Sequence, residues 1–182
     1  MRSSWLLRLL LLPLQCIGVL FPTNKSVWVF GAWLGKSYND NPKYLLSYVR
    51  AHTTTIRPIW LTKNKKSLAE IRDQGIEAYL FYSLPGIYFS MISGCAIICN
   101  SWIDLPFTTY FPRKKRIIQL WHGTPFRKVN LHKASFRIKL LRLTLLTYLG
   151  RDYDRVFTAA VQNKDILTLK DRFAINKDKI IV

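Results

Sequence analysis

The sequence predicts an α/β fold of the Rossmann-like kind, with a parallel sheet whose strands are joined by helices. Short apolar runs alternate with helical patterns at intervals of roughly 15 to 25 residues, which is typical of such sheets. Apolar residues make up 49% of the 182 residues, enough for one ordinary domain with a core. Turn and cap residues, such as Asn41, Pro42 and Gly75, separate the runs. Ligands are expected beyond the carboxyl ends of the strands.

The individual elements follow from the apolar runs and from the residues that end them. Residues 26–31 form a short apolar run that ends in Gly31, which predicts the first strand. A helix is predicted over residues 41–52, because Asn41 is a good N-cap and Pro42 a favoured first residue. The predicted elements that follow are strand 56–62 (with Pro58 counting somewhat against it), helix 65–75 stopped by Gly75, strand 76–81, helix 84–93, strand 95–100, loop 101–111, strand 116–121, helix 135–149, strand 154–159, helix 162–173 and strand 179–182.

The first 22 residues are predicted to be a hydrophobic segment that associates with a membrane, and residues 23–182 to form the domain. Between residues 5 and 21 this segment carries one charge, Arg8, and one proline. A spanning helix needs about 20 apolar residues, so the segment is borderline short. An interfacial anchor fits better, with Arg2 and Arg8 at the headgroups and Trp5 in the interface. A single span, a signal peptide with a poor cleavage site and an N-terminal core helix remain open.

The chain is strongly basic, with 28 Lys and Arg against 10 Asp and Glu and a formal net charge of +18. Such a charge attracts polyanions, namely nucleic acid, anionic lipid headgroups or phosphate-rich polymers. Nucleic acid is disfavoured because the aromatic residues lie inside apolar runs and not in an exposed stacking pattern. The predicted helix 135–149 mixes basic residues with Leu and Ile, which is typical of a membrane-surface helix, a partner-binding helix or a half-buried helix.

The three cysteines indicate a reduced environment. Cys16, Cys95 and Cys99 lack both a pairing framework and the spacing of a zinc site. We interpret them as small apolar residues on the cytosolic side of a membrane. No metal ligand is predicted.

His122 is the candidate catalytic residue. The apolar run 117–120 predicts a short buried strand that Gly123 and Pro125 stop, so His122 falls at its carboxyl end, beside a cleft. Imidazole, with a pKa near neutral, is the usual group for taking a proton from a hydroxyl, although a structural histidine is the alternative. Arg127 and Lys128 could neutralise a phosphate or could be ordinary solvated surface.

The residues after the first predicted strand form a second candidate site. Gly31 and Gly35 permit a tight loop in which Lys36 and Ser37 offer hydrogen-bond donors. Backbone amides at the helix start near Asn41 could hold an anion. The spacing is not that of a P-loop, and a plain strand-to-helix loop is the alternative.

Four segments resemble one known family. Residues 119–128, QLWHGTPFRK, closely resemble the Trp-His-Gly-Thr-Pro signature of the CDP-glycerol:poly(glycerophosphate) glycerophosphotransferases, the teichoic-acid primases and polymerases. Residues 30–49 resemble the family's early Gly-Lys-x-Tyr-x-Asp-Asn-Pro segment, residues 92–102 its strand-plus-Asn segment and residues 152–160 its next strand. The resemblance covers about residues 26 to 182, with Phe126 and Arg127 as mild departures.

The resemblance implies the N-terminal, acceptor-side half of a GT-B fold, in which two Rossmann-like domains face a cleft. It implies transfer of glycerol phosphate from CDP-glycerol to the hydroxyl end of a lipid-linked acceptor, with release of CMP. The family's motif histidine maps onto His122, as the base that deprotonates the acceptor hydroxyl. The candidate substrate- or phosphate-binding residues are Gly123, Thr124, Arg127, Lys128, Lys36 and Ser37.

The resemblance also implies partners and a location. Family members lie peripherally on the cytoplasmic face of the cell membrane, so an anionic membrane surface and a lipid-linked polyol-phosphate acceptor are expected partners. Members continue into a second domain with the nucleotide contacts, so we expect this chain to bind CDP-glycerol through a missing domain and to be inactive as this half alone. No cofactor is expected beyond the donor substrate. A CDP-ribitol donor, a capsule product and a non-catalytic acceptor-binding module remain alternatives.

Overall fold

The fold is a parallel sheet with connecting helices. A computed structural model describes residues 13, 21–100, 102–110, 115–121, 155–157 and 180–181, and in these residues seven strands form one sheet whose neighbours all pair in parallel. The strands are β1 Asn24–Phe30, β2 Arg57–Thr62, β3 Ala78–Leu80, β4 Ser93–Ile98, β5 Arg116–Leu120, β6 Arg155–Phe157 and β7 Ile180–Ile181. The helices are α1 Asp40–His52, α2 Lys65–Asp73, α3 Leu84–Ile92 and α4 Pro106–Tyr110, with 3-10 turns at Trp33–Gly35 and Trp102–Asp104. This alternation agrees with the predicted Rossmann-like class.

The strand order reverses in the middle of the sheet. The order is β3-β2-β1-β4-β5-β6-β7, so the chain first adds strands on one side of β1 and then returns to add β4 on the other side. A reversal of this kind leaves a crevice outside the carboxyl ends of the two central strands, which is where open α/β sheets bind ligands. We call residues 31–41, 63–64, 99–100, 102–104 and 119–121 the carboxyl edge, and residues 24–25, 57, 77, 90–94 and 115 the amino edge.

Both faces of the sheet are buried under helices. Val29 and Phe30 are neighbours in β1 and fully buried, yet they belong to separate clusters because successive side chains of a strand point to opposite faces. Phe89 of α3 packs in the cluster of Val29, whereas Leu46 of α1 and Ile71 of α2 pack in the cluster of Phe30. Each such side chain contributes about 1.5–3 kcal/mol on burial, so both faces stabilise the frame from which the loops extend.

The structure differs most clearly from the predicted elements at the starts of α1 and β4 and in one predicted loop. α1 begins at Asp40 with Asn39 in the N-cap position, because the side chain of Asn41 donates its hydrogen bonds to β5 and its vicinity and does not cap the helix. The predicted loop 101–111 contains the turn Trp102–Asp104 and α4, which is too short to show a helical period. β4 begins at Ser93 and not at Cys95, since the chain passes from α3 into the strand with no intervening loop.

Several predicted elements lie outside the described residues. These are the helices at 135–149 and 162–173 and, apart from Pro13, Phe21 and Pro22, the N-terminal segment. Within the ranges that the structure describes, no helix is both long and apolar enough to cross a membrane. The boundary between an N-terminal segment and the domain therefore stays a prediction.

Candidate functional site

The loop after β1 has an unusual backbone. Trp33, Leu34 and Gly35 have φ angles of 48°, 59° and 71°, and Asp40 has a φ of 66°. A left-handed conformation costs a non-glycine residue roughly 1–2 kcal/mol. Of the non-glycine residues that the structure describes, Trp33, Leu34 and Asp40 alone have positive φ, so the strain is concentrated in this loop. Strain of this kind persists only where neighbouring contacts hold it, and it clusters at functional sites.

The carboxylate of Asp104 holds this loop against the end of β4. Asp104 is fully buried, and its Oδ1 accepts the N–H of Leu34 at 2.7 Å. Its Oδ2 accepts the N–H of Cys99 at 3.1 Å and the N–H of Asn100 at 2.7 Å. Hydrogen bonds to an ionised acceptor are stronger than those between neutral groups. One side chain therefore joins the loops after β1 and β4, the two strands at which the strand order reverses.

Gly31 allows these two loops to approach each other. Its N–H donates to the carbonyl of Ile97 at 3.0 Å. A Cβ atom at this position would lie 2.6 Å from Cδ2 of Leu105 and 2.8 Å from the carbonyl oxygen of Asp104, closer than real Cβ contacts. Any other residue would push the loops apart, which explains the glycine at the end of the predicted strand.

Lys36 and Ser37, two of the predicted phosphate-binding residues, lie in the same loop on the side of β2. The carbonyl oxygen of Lys36 accepts from Nδ2 of Asn64 at 3.0 Å and from Oγ of Ser67 at 3.1 Å. Oγ of Ser37 donates to Oδ1 of Asn39 at 3.1 Å. The backbone of Lys36 is thus fixed while its side chain is exposed, an arrangement compatible with binding an anion from solvent. The phosphate-binding role stays a prediction.

Asn41 joins the loop after β1 to the end of β5. Its Nδ2 donates to the carbonyl oxygen of Leu120 at 3.3 Å and also to the carbonyl oxygen of Trp121. Its own N–H donates to Oδ1 of Asp40 at 2.9 Å, and Oδ2 of Asp40 accepts from Nε1 of Trp33 at 3.1 Å. The strand that leads to the predicted catalytic histidine therefore ends at the edge that carries Lys36.

The other predicted site residues, His122, Gly123, Thr124, Arg127 and Lys128, lie outside the described residues. Their roles stay predictions. What the structure does describe is Trp121, which immediately precedes His122 and is buried at the carboxyl edge. The loop after Gly31 and the end of β5 both lie at the carboxyl ends of strands, where ligands are expected, and the contacts of Asn41 join them.

Two groups behind the edge are buried and polar. Gln119 of β5 is fully buried and donates from Nε2 to the carbonyl of Asn100 at 3.1 Å, while its Oε1 has no hydrogen-bond partner among the described residues. Burial raises the pKa of the Cys99 thiol to about 12, so this cysteine stays protonated and is no nucleophile at neutral pH. In the described part of the chain, no three His, Cys, Asp or Glu side chains are grouped so that they could hold a metal ion.

The contacts that Asp104 and Trp33 make in the loop after β1 were not predicted from the sequence, and Asn41 was interpreted only as a helix cap. One signal for Asp104 was present, because it is the last acidic residue before the acid-free stretch from 105 to 150. The described part of the edge supplies the exposed ammonium group of Lys36 and the half-buried hydroxyl of Ser37. The carboxylates of Asp40 and Asp104 accept hydrogen bonds from the backbone and from Trp33. The role of His122 in proton transfer stays a prediction.

Known proteins share both the sequence pattern and the fold. The teichoic acid poly(glycerol phosphate) polymerase of Bacillus spizizenii is 24% identical over 217 residues, which cover 98% of this chain and 54% of the polymerase. The teichoic acid glycerol-phosphate transferase of Staphylococcus aureus is 27% identical over 172 residues, covering 87% of this chain and 40% of the transferase. The chain thus spans about half the length, or less, of these relatives.

Solved structures of the wall teichoic acid polymerase TagF have the same fold. One matches with a TM-score of 0.61 at 17% identity and covers 88% of this chain and 38% of that chain. A variant soaked with CDPG matches with a TM-score of 0.64 at 16% identity, covering 99% of this chain and 46% of that chain. This likeness confirms the fold class predicted from the sequence.

The likeness in structure shows the fold alone, whereas a match to a sequence profile shows the family. The profile described as CDP-Glycerol:Poly(glycerophosphate) glycerophosphotransferase matches residues 14–182, which include the Trp-His-Gly-Thr-Pro motif and the loop after β1. The resemblance that the motifs indicate is thereby confirmed, and the chain belongs to the CDP-glycerol:poly(glycerophosphate) glycerophosphotransferase family.

Proposed function

We propose that this chain takes part in the transfer of glycerol phosphate, or a related polyol phosphate, from CDP-glycerol to the hydroxyl of a membrane-linked acceptor during synthesis of a teichoic-acid or capsule-type polymer. Family membership and relatives named as poly(glycerol phosphate) polymerases support the class of reaction. The observation that carries the proposal is the bond from Asn41 to the carbonyl of Trp121, because it brings the residue before His122 to the edge where the strand order reverses.

The chemistry assigned to His122 follows from the weak nucleophilicity of a neutral alcohol. As the acceptor oxygen attacks the phosphorus that carries glycerol, the imidazole takes the hydroxyl proton and a new P–O bond forms. The bond from that phosphorus to CMP breaks, and CMP leaves with the electron pair. Cations beside the phosphoryl group, with Arg127 and Lys128 as the candidates, would stabilise the negative charge of the transition state.

Lys36 and Ser37 would contact a different part of the ligand. Lys36 is fixed beside the start of α2, which follows β2, whereas His122 follows β5. β2 and β5 are three strand spacings apart in the sheet, roughly 14 Å. We assign Lys36 and Ser37 to an acceptor phosphate distant from the reacting one, which an extended polyol-phosphate chain along the edge provides. Contacts with the CDP moiety would come from a second domain.

Replacement of His122 by alanine tests the assignment. Steady-state transfer from CDP-glycerol to a lipid-linked acceptor is measured in the complete protein, and His122→Ala is expected to lower kcat by about 100-fold or more while the melting temperature is kept. His52→Ala is the matched control, since His52 is exposed at the end of α1, where its Nδ1 contacts the carbonyl of Tyr48 and its ring stacks on the ring of Tyr48. Normal turnover by His122→Ala would remove His122 from the mechanism.

The alternative is a module that binds acceptor without catalysis, with the exposed side chain of Lys36 as a candidate contact for an acceptor phosphate. Acceptor binding together with undiminished transfer by the complete His122→Ala protein would support this alternative.

We also propose peripheral attachment to the cytoplasmic face of the cell membrane, which the net charge of +18 supports. Cosedimentation with anionic vesicles is expected to weaken as salt is raised. Equal binding to neutral vesicles at every ionic strength would contradict this attachment.

A further inference from the structure

Asn41 reaches across the sheet to a part of the chain that lies far away in sequence. Its side-chain nitrogen carries two hydrogens, and the two carbonyl oxygens that it contacts belong to Leu120 and Trp121. Both donors of the amide are therefore engaged at the point where β5 ends. An aspartate of the same shape would have no donor there and would place a carboxylate against two carbonyl oxygens.

The bond to Trp121 bears directly on the next residue. A peptide unit is planar, and the carbonyl oxygen of one residue lies in the same plane as the nitrogen and Cα of the residue that follows. Holding the carbonyl of Trp121 therefore restrains the peptide unit by which the chain leaves Trp121. Leu120 is the last residue of β5, so Trp121 lies just beyond the end of the strand.

The surroundings of Asn41 are themselves held in place. Asp40 has a left-handed backbone with a φ of 66°, and its two carboxylate oxygens bind the N–H of Asn41 and the indole N–H of Trp33. Pro42, the next residue, is buried. Asn41 is exposed, but a strained residue on one side and a buried ring on the other restrain its backbone, as expected of a residue that positions another group.

We propose that Asn41 is a positioning residue of the transfer reaction: its amide fixes the Leu120–Trp121 carbonyls and so aims the backbone that carries His122. The inference rests on the function proposed above. It goes beyond that function because it assigns a task to the Asp-Asn-Pro segment. Asn41 has no assigned contact with substrate, and its effect is transmitted through the peptide unit between Trp121 and His122.

The test compares Asn41→Asp with Asn39→Asp in the complete protein. Asn39 is exposed in the same loop, and its Oδ1 serves only as an acceptor for Ser37, which an aspartate can still do. Asn41→Asp is expected to lower kcat by about 10- to 100-fold, because a misplacement of about 1 Å in a catalytic group can cost that much. KM for CDP-glycerol is expected to be unchanged, and the melting temperature to fall because the carboxylate would face two carbonyl oxygens. Asn39→Asp is expected to behave as wild type.

A second variant and a second measurement separate the possible outcomes. Asn41→Ala removes the amide without adding a charge, and hydrogen exchange of the backbone amides at residues 119–123 reports their mobility without any assay of activity. Faster exchange and lower kcat in both variants, with KM kept, support the inference. Unchanged kcat per folded molecule in both variants overturns it, even if stability falls. A different outcome separates the two proposals. If His122→Ala is fully active while the Asn41 variants speed exchange at residues 119–123, the proposed function is wrong, but Asn41 still holds the end of β5 in place.

Discussion

The two edges of the sheet are held together by different chemistry. At the carboxyl edge, the carboxylate of Asp104 and the amide of Asn41 bind backbone groups of loops that follow three different strands. At the amino edge, the ammonium group of Lys115 binds the carbonyls of Ser90, Met91 and Thr108, where α3 ends and within α4. The carboxyl edge contains left-handed backbone at Trp33, Leu34 and Asp40, and the residues that the structure describes at the amino edge contain none.

This difference indicates a division of tasks. Cations beside the last carbonyls of a helix interact favourably with its dipole, so Lys115 stabilises the ends of helices whose conformations are regular. Asp104 and Asn41 instead hold loops whose backbone is strained, and strain is retained where geometry serves binding or catalysis. Changes at the amino edge are therefore expected to alter stability alone, and changes at the carboxyl edge to alter stability and transfer.

The largest loss of stability is expected for Asp104→Ala. The change leaves the N–H groups of Leu34, Cys99 and Asn100 without their acceptor. Unpaired buried donors cost about 1–3 kcal/mol each, so the free energy of unfolding should fall by about 3 kcal/mol or more in urea denaturation. Asp104→Asn keeps one acceptor oxygen and should be intermediate. Asp73→Ala, an exposed control, should stay within about 0.5 kcal/mol of wild type, and an equal effect of the two alanine variants would refute this role.

A smaller loss is expected for Lys115→Met, which replaces the buried ammonium group with an apolar side chain of similar length. The carbonyl of Ser90 loses the ammonium donor and keeps only the weak hydrogen bond of 3.4 Å from Oγ of Ser93 among the described contacts. The cost of burying a charge is also removed, so the free energy of unfolding should fall by about 1–3 kcal/mol. Transfer per folded molecule should be unchanged. Lys66→Met, on the exposed surface of α2, is the control. Loss of transfer in a stable Lys115→Met protein would contradict the expectation that changes at the amino edge alter stability alone.

The smallest effect is expected for Glu77→Gln, also at the amino edge. Glu77 accepts two hydrogen bonds of 2.8 Å from Arg57, whose side chain is 55% exposed, and this contact raises the pKa of Arg57. Exposed ion pairs contribute about 1 kcal/mol or less, so the denaturation midpoint should shift little and less at high salt. A loss comparable with that of Asp104→Ala would contradict the ranking of the edges.

The frame of the fold could be predicted from the sequence because it depends on local pattern. The apolar runs that became β1, β2, β4 and β5 are buried or half-buried on both faces over most of their length. Residues such as Gly75, with a φ of 67°, end helices by their own conformational preference. α4 was missed because five residues carry too little period. The strand order follows from packing across the whole chain and not from any one segment.

The candidate site was predictable only in its location. Lys36 and Ser37 were placed correctly beyond the end of β1, since a strand followed by glycine leads into a loop. Leu34, one partner of Asp104, is 70 residues away in sequence, and Trp121, one partner of Asn41, is 80 residues away. No spacing rule connects an amide after β1 with carbonyls at the end of β5. The left-handed backbone at Trp33 and Leu34 could not be predicted from the sequence either, because neither residue type favours that conformation.

An acceptor bound as proposed would lie along the carboxyl edge. Hydrogen exchange of the complete protein, measured with and without a soluble poly(glycerol phosphate) oligomer, tests it most directly. Amides at residues 33–41, 99–100 and 119–121 are expected to exchange more slowly with the oligomer present, while those at residues 24–25, 57 and 77 keep their rates. Protection confined to the amino edge, with the carboxyl-edge amides unaffected at saturating oligomer, would contradict the account.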